Sequence, residues 1–311
     1  MEDKLKALLS AIAPLDDRAM EKARERQAEL AKPPGSLGRL EDISVRLAGI
    51  TGEVRNTVDK RRIIVLCADN GVAEEGVASA PQSVTAAQAV NMTRRLTGMS
   101  ALAKHFGDDV QVVDMGIACP YTCPAILDRS LGKGTKNLYR EPAMTREKAL
   151  RAILTGAELA AQARAEGIRV VGVGEMGIGN TTTSAAVLAA LTGLGVEQVT
   201  GRGGGITEES FRKKKHVISH ALELHRPDPG DPVDVLSKVA ASTWPPCAAC
   251  SWGRRRTAFP WWRTASSPSW RPCAQGGSAR RRRSTSSPAT PPMRSAICWR
   301  RRSWGLNPGC C

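Results

Sequence analysis

Three apolar runs frame the chain: Ile63-Ile64-Val65-Leu66-Cys67-Ala68, Val110 to Val113, and Ile168 to Val173. Runs this short, nearly free of polar alternation and bounded by turn residues, have the pattern of strands covered on both faces. Each leads into acids and glycines: Asp69-Asn70-Gly71-Val72, Asp114-Met115-Gly116, and Gly174-Glu175-Met176-Gly177. Between them the period lengthens to that of helices. From about Ser83 through Leu102 a helix carries Thr85, Gln88 and Asn91 along one polar stripe, which solvent exposure explains more cheaply than a ligand does. Thr145 is placed to cap a helix whose Leu150, Ile153, Leu154 and Ala157 share an apolar stripe. After the third run come a helix through Ala185–Leu191, a short strand near Val199 and another helix start at Ile206-Thr207-Glu208-Glu209. Strands alternating with helices predict an α/β fold, a doubly wound parallel sheet of Rossmann-like kind.

The N-terminal region has no strand pattern. Residues 16–31 read as a helix with Asp16 or Asp17 as N-cap, stopped by Lys32-Pro33-Pro34-Gly35. A second helix restarts at Ser36, with Leu40, Ile43 and Leu47 on one face. The expected organisation is therefore a smaller helical domain drawn from residues 1–60, an α/β domain over 61–239, and a third region, 240–311, of different character.

Candidate chemistry concentrates in two glycine-rich stretches. Gly172 to Thr183 holds four glycines in its first eight residues. They allow close ligand approach, while Asn180 and the threonines after it stand where a helix start can attract an anion. Glu175 is the odd member, a carboxylate in a loop otherwise suited to phosphate. Neither generic nucleotide motif is present, since no lysine follows the last glycine and the third glycine of GxGxxG is missing. The second stretch is Gly201-Arg202-Gly203-Gly204-Gly205, followed about two helical turns later by Lys213, Lys214 and Lys215. A glycine cradle with a nearby lysine is a phosphate constellation, because backbone N–H groups grip oxygens while the ammonium balances charge. Asp69 and Asn70 end a strand where a parallel sheet opens its crevice, although Asp-Asn-Gly also suits a plain turn.

The charge of +15 invites a nucleic-acid reading, but its distribution removes it from the body. Residues 240–311 hold 13 basic residues and no acid, whereas the first 239 carry 32 basic and 30 acidic, a net of +2. Cys67, Cys119 and Cys123 do not make a metal set, and the last two are read as free thiols in a loop. No apolar run approaches the roughly 20 residues of a membrane span, and the first residues lack a signal peptide's apolar core. The expected location is the cytoplasm.

Longer strings carry a resemblance. Lys32-Pro33-Pro34-Gly35-Ser36-Leu37-Gly38-Arg39-Leu40-Glu41, Ala68-Asp69-Asn70-Gly71-Val72, Val84-Thr85 through Gln88, Asn91-Met92-Thr93, Gly174 to Gly177 with Asn180-Thr181-Thr182, and Asp234 to Val239 resemble, in order, the nicotinate-nucleotide:dimethylbenzimidazole phosphoribosyltransferase family. The resemblance covers residues 1–239. It implies phosphoribosyl transfer from nicotinate mononucleotide to 5,6-dimethylbenzimidazole, giving α-ribazole 5′-phosphate for the lower ligand of cobalamin. It also implies a homodimer and no metal or organic cofactor. By matching motif positions, Glu175 resembles the catalytic glutamate beside the reacting groups, and Gln88 the residue that meets the benzimidazole. Gly203 and Gly204 fall in the phosphate loop, with Lys214 as its lysine, although the register within 213–215 is open by one. Asp69, Gly177 and Asn180 complete the implied substrate-binding set. Ala80 stands where some members have a serine.

The family pattern stops after Val239. There it continues with a glycine pair, an apolar helix and strand, and later a Leu-Gly-Glu-Gly-x-Gly-Ala motif whose glutamate is the principal general base. None of these appears here. Residues 240–311 hold all seven Trp, six of nine Cys and nine of 19 Pro, with no Val and a single Leu. Arg254-Arg255-Arg256 and Arg280 to Arg283, with Trp between, would suit a basic nucleic-acid-binding protein, the alternative reading. Cys247 and Cys250 have no histidine downstream, which argues against zinc. Arg, Ala, Pro, Ser, Gly, Trp and Cys are what a GC-rich gene yields out of frame. The expectation is a frameshift near Val239/Ala240, a disordered tail, and a chain with little or no transferase activity.

Overall fold

The computed structural model describes residues 1–257 and 261–263. Three helices come first: α1 (Glu2–Ser10), α2 (Asp17–Glu29) and α3 (Arg39–Thr51). Asp16 is the N-cap of α2, its carboxylate accepting from Ala19 N–H at 2.9 Å. α2 and α3 pack through Ala19 and Ala23 against Val45 and Ala48. The contact is close enough that a Cβ on Gly49 would fall 2.6 Å from the Met20 side chain. The predicted Leu40–Ile43–Leu47 stripe is therefore not the packing face: small residues let the backbones approach, and Leu40 is left 62% exposed. Of the 1–60 region these two helices form their own cluster, whereas Leu5 of α1 joins a core shared with Leu150 and Ile153.

The sheet begins with β1 (Arg61–Ala68). A short 3₁₀ turn over Gly71–Glu75 follows, then α4 (Ser83–Thr93) and α5 (Gly98–His105). The single helix expected through Leu102 breaks between them. Arg95 takes φ 64°, and Thr97 restarts the chain with a capping box to Ser100. β2 (Asp109–Gly116) and β3 (Ile126–Asp128) come next, then α6 (Arg146–Ala165), capped by Thr145 as expected, and β4 (Val170–Met176). Beyond lie α7 (Asn180–Thr192), α8 (Val196–Val199), α9 (Glu208–His225), α10 (Pro232–Val239), α11 (Trp244–Thr257) and β5 (Trp261–Arg263). The strand expected near Val199 is thus the helical turn α8, whose start at Gly195 is closed by the Gln198 side chain.

All strands are parallel, in the order β3-β2-β1-β4-β5. Alternation along β1 divides the core in two. Ile64, Leu66 and Ala68 face Ala152, Leu159 and Ala163 of α6 and Cys250 of α11. Val65 and Cys67 face Ala86 and Ala89 of α4. Helices on both faces of a parallel sheet make the predicted doubly wound α/β fold. The order reverses at β1 and β4, so their carboxyl ends diverge into a crevice.

The expectation of disorder from residue 240 does not hold for the first part of that region. Ala240, Ala249 and Cys250 are buried, α11 lies along α6, and β5 pairs with β4 from Val171 to Val173. The apolar faces of α6 and β4 recruit even this sequence. Its Ala249 and Cys250 supply small side chains where the helices meet, and Cys250 Sγ lies 3.0 Å from the Gly156 carbonyl. The remaining residues of the tail lie outside the described ones.

Candidate functional site

The crevice is built from loops that grip one another by backbone. A Cβ on Gly177 would sit 2.1 Å from the Ala68 carbonyl oxygen, so the turn after β4 lies directly on the end of β1. Asn70, fully buried, donates from Nδ2 to the Ile178 carbonyl at 3.0 Å. Thr85 of α4 accepts from Ile178 N–H at 3.2 Å and has no exposed surface. The polar stripe of α4 therefore starts inside the protein, and Gln88, one turn further along, is half-buried.

Asp69 and Asp114 end neighbouring strands but act on loops. Asp69 is 1% exposed and its Oδ2 accepts from Ala118 N–H at 2.8 Å. Burial raises its pKa; the Ala118 N–H opposes the rise and the nearby Asp114 charge adds to it. Asp114 accepts from Gly116 and Ile117 N–H and from the Tyr121 hydroxyl. Both acids hold the chain after β2 by accepting from its N–H groups.

Glu175 belongs to β4 rather than to a loop, since the strand runs on to Met176. It pairs in register with Leu66 and continues the Val171–Val173 row. Its Oε1 accepts from Asn180 Nδ2 at 2.7 Å, which ties the carboxylate to the first residue of α7. Gly179, at φ 90°, makes the left-handed turn that aims this helix start at the crevice.

The second glycine stretch closes on the same helix start. Gly203 has φ 64°, and a Cβ there would lie 2.8 Å from Thr181 Oγ1. Ser79 Oγ donates to the Gly204 carbonyl at 3.3 Å, joining this loop to the chain before α4. Lys214 enters from α9 with no exposed surface, and its Nζ donates to Thr181 Oγ1 at 2.7 Å and the Gly201 carbonyl at 2.9 Å. Burial lowers its pKa to about 8, and no carboxylate among the described residues offsets that shift. Of the three lysines, Lys214 is the buried one beside the glycine loop. Lys213 is exposed, and Lys215 pairs with Glu197 and lies over the Phe211 ring.

One crevice thus joins Glu175, Gly177, Asn180, Gly203, Gly204 and Lys214. Gln88 stands on the helix beside it and Asp69 braces it from beneath. Thr181 was not singled out in the sequence, because its position between Gly203 and Lys214 depends on residues far along the chain. Among the described residues no group of His, Cys, Asp or Glu is arranged to hold a metal, and no helix is long and apolar enough to cross a membrane.

A doubly wound sheet with a glycine loop and a buried lysine at its switch point, with no carboxylate beside the lysine among the described residues, defines an α/β protein whose crevice has the chemistry to suit an anion. A family model described as phosphoribosyltransferase matches residues 12–251, and the chain belongs to that family. It is 49% identical over 235 residues to the nicotinate-nucleotide–dimethylbenzimidazole phosphoribosyltransferase of Clostridium perfringens (strain ATCC 13124), covering 76% of this chain and 65% of that protein. The protein of the same name from Geobacter sulfurreducens is 46% identical over 232 residues, covering 74% of this chain and 66% of that one. The chain thus spans about 65% of the length of the curated relatives it matches. The crystal structure of CobT from Thermus thermophilus superposes with a TM-score of 0.75 at 37% identity, over 79% of this chain and 74% of that one.

Proposed function

We propose that this fold serves phosphoribosyl transfer from nicotinate mononucleotide to 5,6-dimethylbenzimidazole, and that the chain as written performs it poorly. The observation that carries the substrate reading is Lys214. A buried ammonium held, among the described residues, by a hydroxyl and a carbonyl is suited to a phosphate, and Gly203 packs against that same Thr181 hydroxyl at the start of α7. In the transfer, the bond from ribose C1′ to the pyridinium nitrogen breaks and nicotinate leaves. A benzimidazole nitrogen bonds to C1′, and the proton on its other nitrogen must be removed. Glu175, fixed by Asn180, stabilises positive charge building on the ribose, while Gln88 meets the incoming base. Asp69 and Gly177 position the loops around them. Free Cys119 and Cys123 suit a reducing cytoplasm, and we place the active form as a homodimer.

The proton is the weak point. The general-base glutamate of the family's Leu-Gly-Glu-Gly-x-Gly-Ala motif is absent from this chain. Among the described residues the buried hydroxyls of Ser242 and Thr243 have no hydrogen-bond partner, as is also true of Thr182 in the body. The missing motif supports a reading-frame change in the C-terminal region, while the family match itself runs on to residue 251. The test is nicotinate release from nicotinate mononucleotide, with and without 5,6-dimethylbenzimidazole, by this chain and by a frame-restored version. Release that depends on the base in the restored protein, and is nearly lost here, is expected. A restored protein that binds the donor but transfers nothing to the base would overturn the reading.

A further inference from the structure

Thr181 has the geometry of a ligand-binding group. Its Oγ1 accepts from Lys214 Nζ at 2.7 Å. A hydroxyl that accepts through one lone pair still has a proton to donate. Of the neighbouring hydroxyls, those of Thr183 and Ser184 donate to the Asn180 carbonyl, at 2.8 and 2.7 Å, while that of Thr182 is fully buried, with no partner among the described residues. Thr181 has no such acceptor among the described residues. It is the second residue of α7; the N–H groups of Asn180 and Thr182 bond back to the Gly177 and Gly179 carbonyls, while its own has no such partner among the described residues. The loop opposite leaves room for it: at φ 64°, Gly203 is the residue whose missing Cβ would fall 2.8 Å from this oxygen.

We propose that Thr181 is a phosphate-binding residue that also positions Lys214: its oxygen holds the ammonium, and its proton, turned into the crevice, donates to the donor's 5′-phosphate. This rests on the phosphate reading of the crevice and adds the residue that links the lysine to the helix start. One phosphate then meets three kinds of donor on the same side, namely the ammonium, the hydroxyl and the N–H groups of α7 and the glycine loop. Unlike the ammonium, the hydroxyl donates at any working pH.

Calorimetry on the 311-residue chain tests this with Thr181→Val, which keeps the shape without the hydroxyl, and Thr181→Ser, which keeps the hydroxyl. The probes are nicotinate mononucleotide, nicotinate riboside and inorganic phosphate. Loss of a hydrogen bond to a charged group predicts roughly tenfold to a hundredfold weaker binding of the mononucleotide by the valine variant. The serine variant recovers most of the affinity, and riboside binding does not change. Lys214 also loses a partner for its charged form in the valine variant. The pH above which phosphate binding fades, near the lysine's pKa of about 8, therefore moves lower, a shift that loosened packing alone would not produce. Unchanged mononucleotide binding by the valine variant, equal losses for riboside and mononucleotide, or no rescue by serine each overturns the proposal. If inorganic phosphate follows the valine and serine pattern while the mononucleotide does not bind, only the donor assignment falls. If the parent chain binds neither, both fall.

Discussion

Among the described residues Lys214 is enclosed without a carboxylate, and its charge is held by the dipoles of Thr181 and Gly201. The sign of its pH effect follows. Its pKa falls from 10.5 in an exposed state to about 8 in the fold, so between these values the unfolded chain binds more protons than the native one. Stability without ligand should therefore rise with pH across pH 8 to 10.5 as this penalty is relieved, and the penalty is fully present below pH 8. An anion supplies the missing countercharge, so phosphate should stabilise the fold most below about pH 8 and lose its effect above. Melting curves from about pH 6.5 to 9.5 with and without inorganic phosphate check this. A phosphate-induced gain that grows with pH would place the anion elsewhere. Glu175 makes a second test at this scale. Removing its charge in Glu175→Gln should lower turnover of the frame-restored enzyme at least tenfold with little change in melting temperature, an effect of the size seen for groups that stabilise developing charge. Unchanged turnover would leave Glu175 a structural partner of Asn180.

At the scale of elements, β1 and β4 were legible because both are continuous apolar runs. So were the caps at Asp16 and Thr145, which need only local sequence. What escaped depends on tertiary context. Thr85 looks like part of a solvated stripe until Ile178 N–H arrives from another loop 93 residues away. α4 and α5 read as one helix because the Thr97–Ser100 box that separates them is weaker in sequence than a proline or glycine break. Lys214 was legible as one of three lysines, while Thr181 lies 33 residues from it and emerges only when the two meet. Gly177 shows the reverse case, a residue taken for a ligand contact whose first duty is packing. In Gly177→Ala the Cβ would meet the Ala68 carbonyl at 2.1 Å and Asn70 Nδ2 at 2.9 Å, both fixed by the sheet end. Forcing the loops apart should cost about 1–3 kcal/mol, the scale of overpacking elsewhere in cores. It should also weaken donor binding by displacing Asn180 and Glu175. Denaturant unfolding measures the first effect and calorimetry the second; an alanine variant as stable as the parent would show that these loops are not in the contact described.

The whole molecule joins a family fold, matched through residue 251, to a C-terminal region of different composition. The body through α10 is locally consistent, with caps, alternation and glycines agreeing with the sheet it forms. Past Val239 the agreement weakens. α11 occupies the face of α6 and β4, yet it begins at Trp244-Pro245-Pro246, and the Pro246 carbonyl approaches so closely that a Cβ on Gly156 would lie 2.3 Å from it. Ser242 and Thr243 bury hydroxyls without partners among the described residues, and the region from 240 on adds 13 positive charges and no negative ones. Each unpaired buried hydroxyl costs about 1–3 kcal/mol, so the same body joined to an in-frame continuation should be the more stable protein. On the proposed reading it should also be the more active one, because only that form would carry a glutamate to take the benzimidazole proton. Phosphate-site binding, which rests on Thr181, Gly203 and Lys214, should survive in both. The expected result is therefore a split: measurable nicotinate mononucleotide binding by the 311-residue chain, transfer to 5,6-dimethylbenzimidazole by the frame-restored chain, and a higher melting temperature for the latter. Resequencing around the codon for Val239 decides the origin of the split independently of any assay. A clean read of the present frame, with full transferase activity of the 311-residue chain, would refute the frameshift and require a proton acceptor within residues 1–311 that takes the place of the missing glutamate.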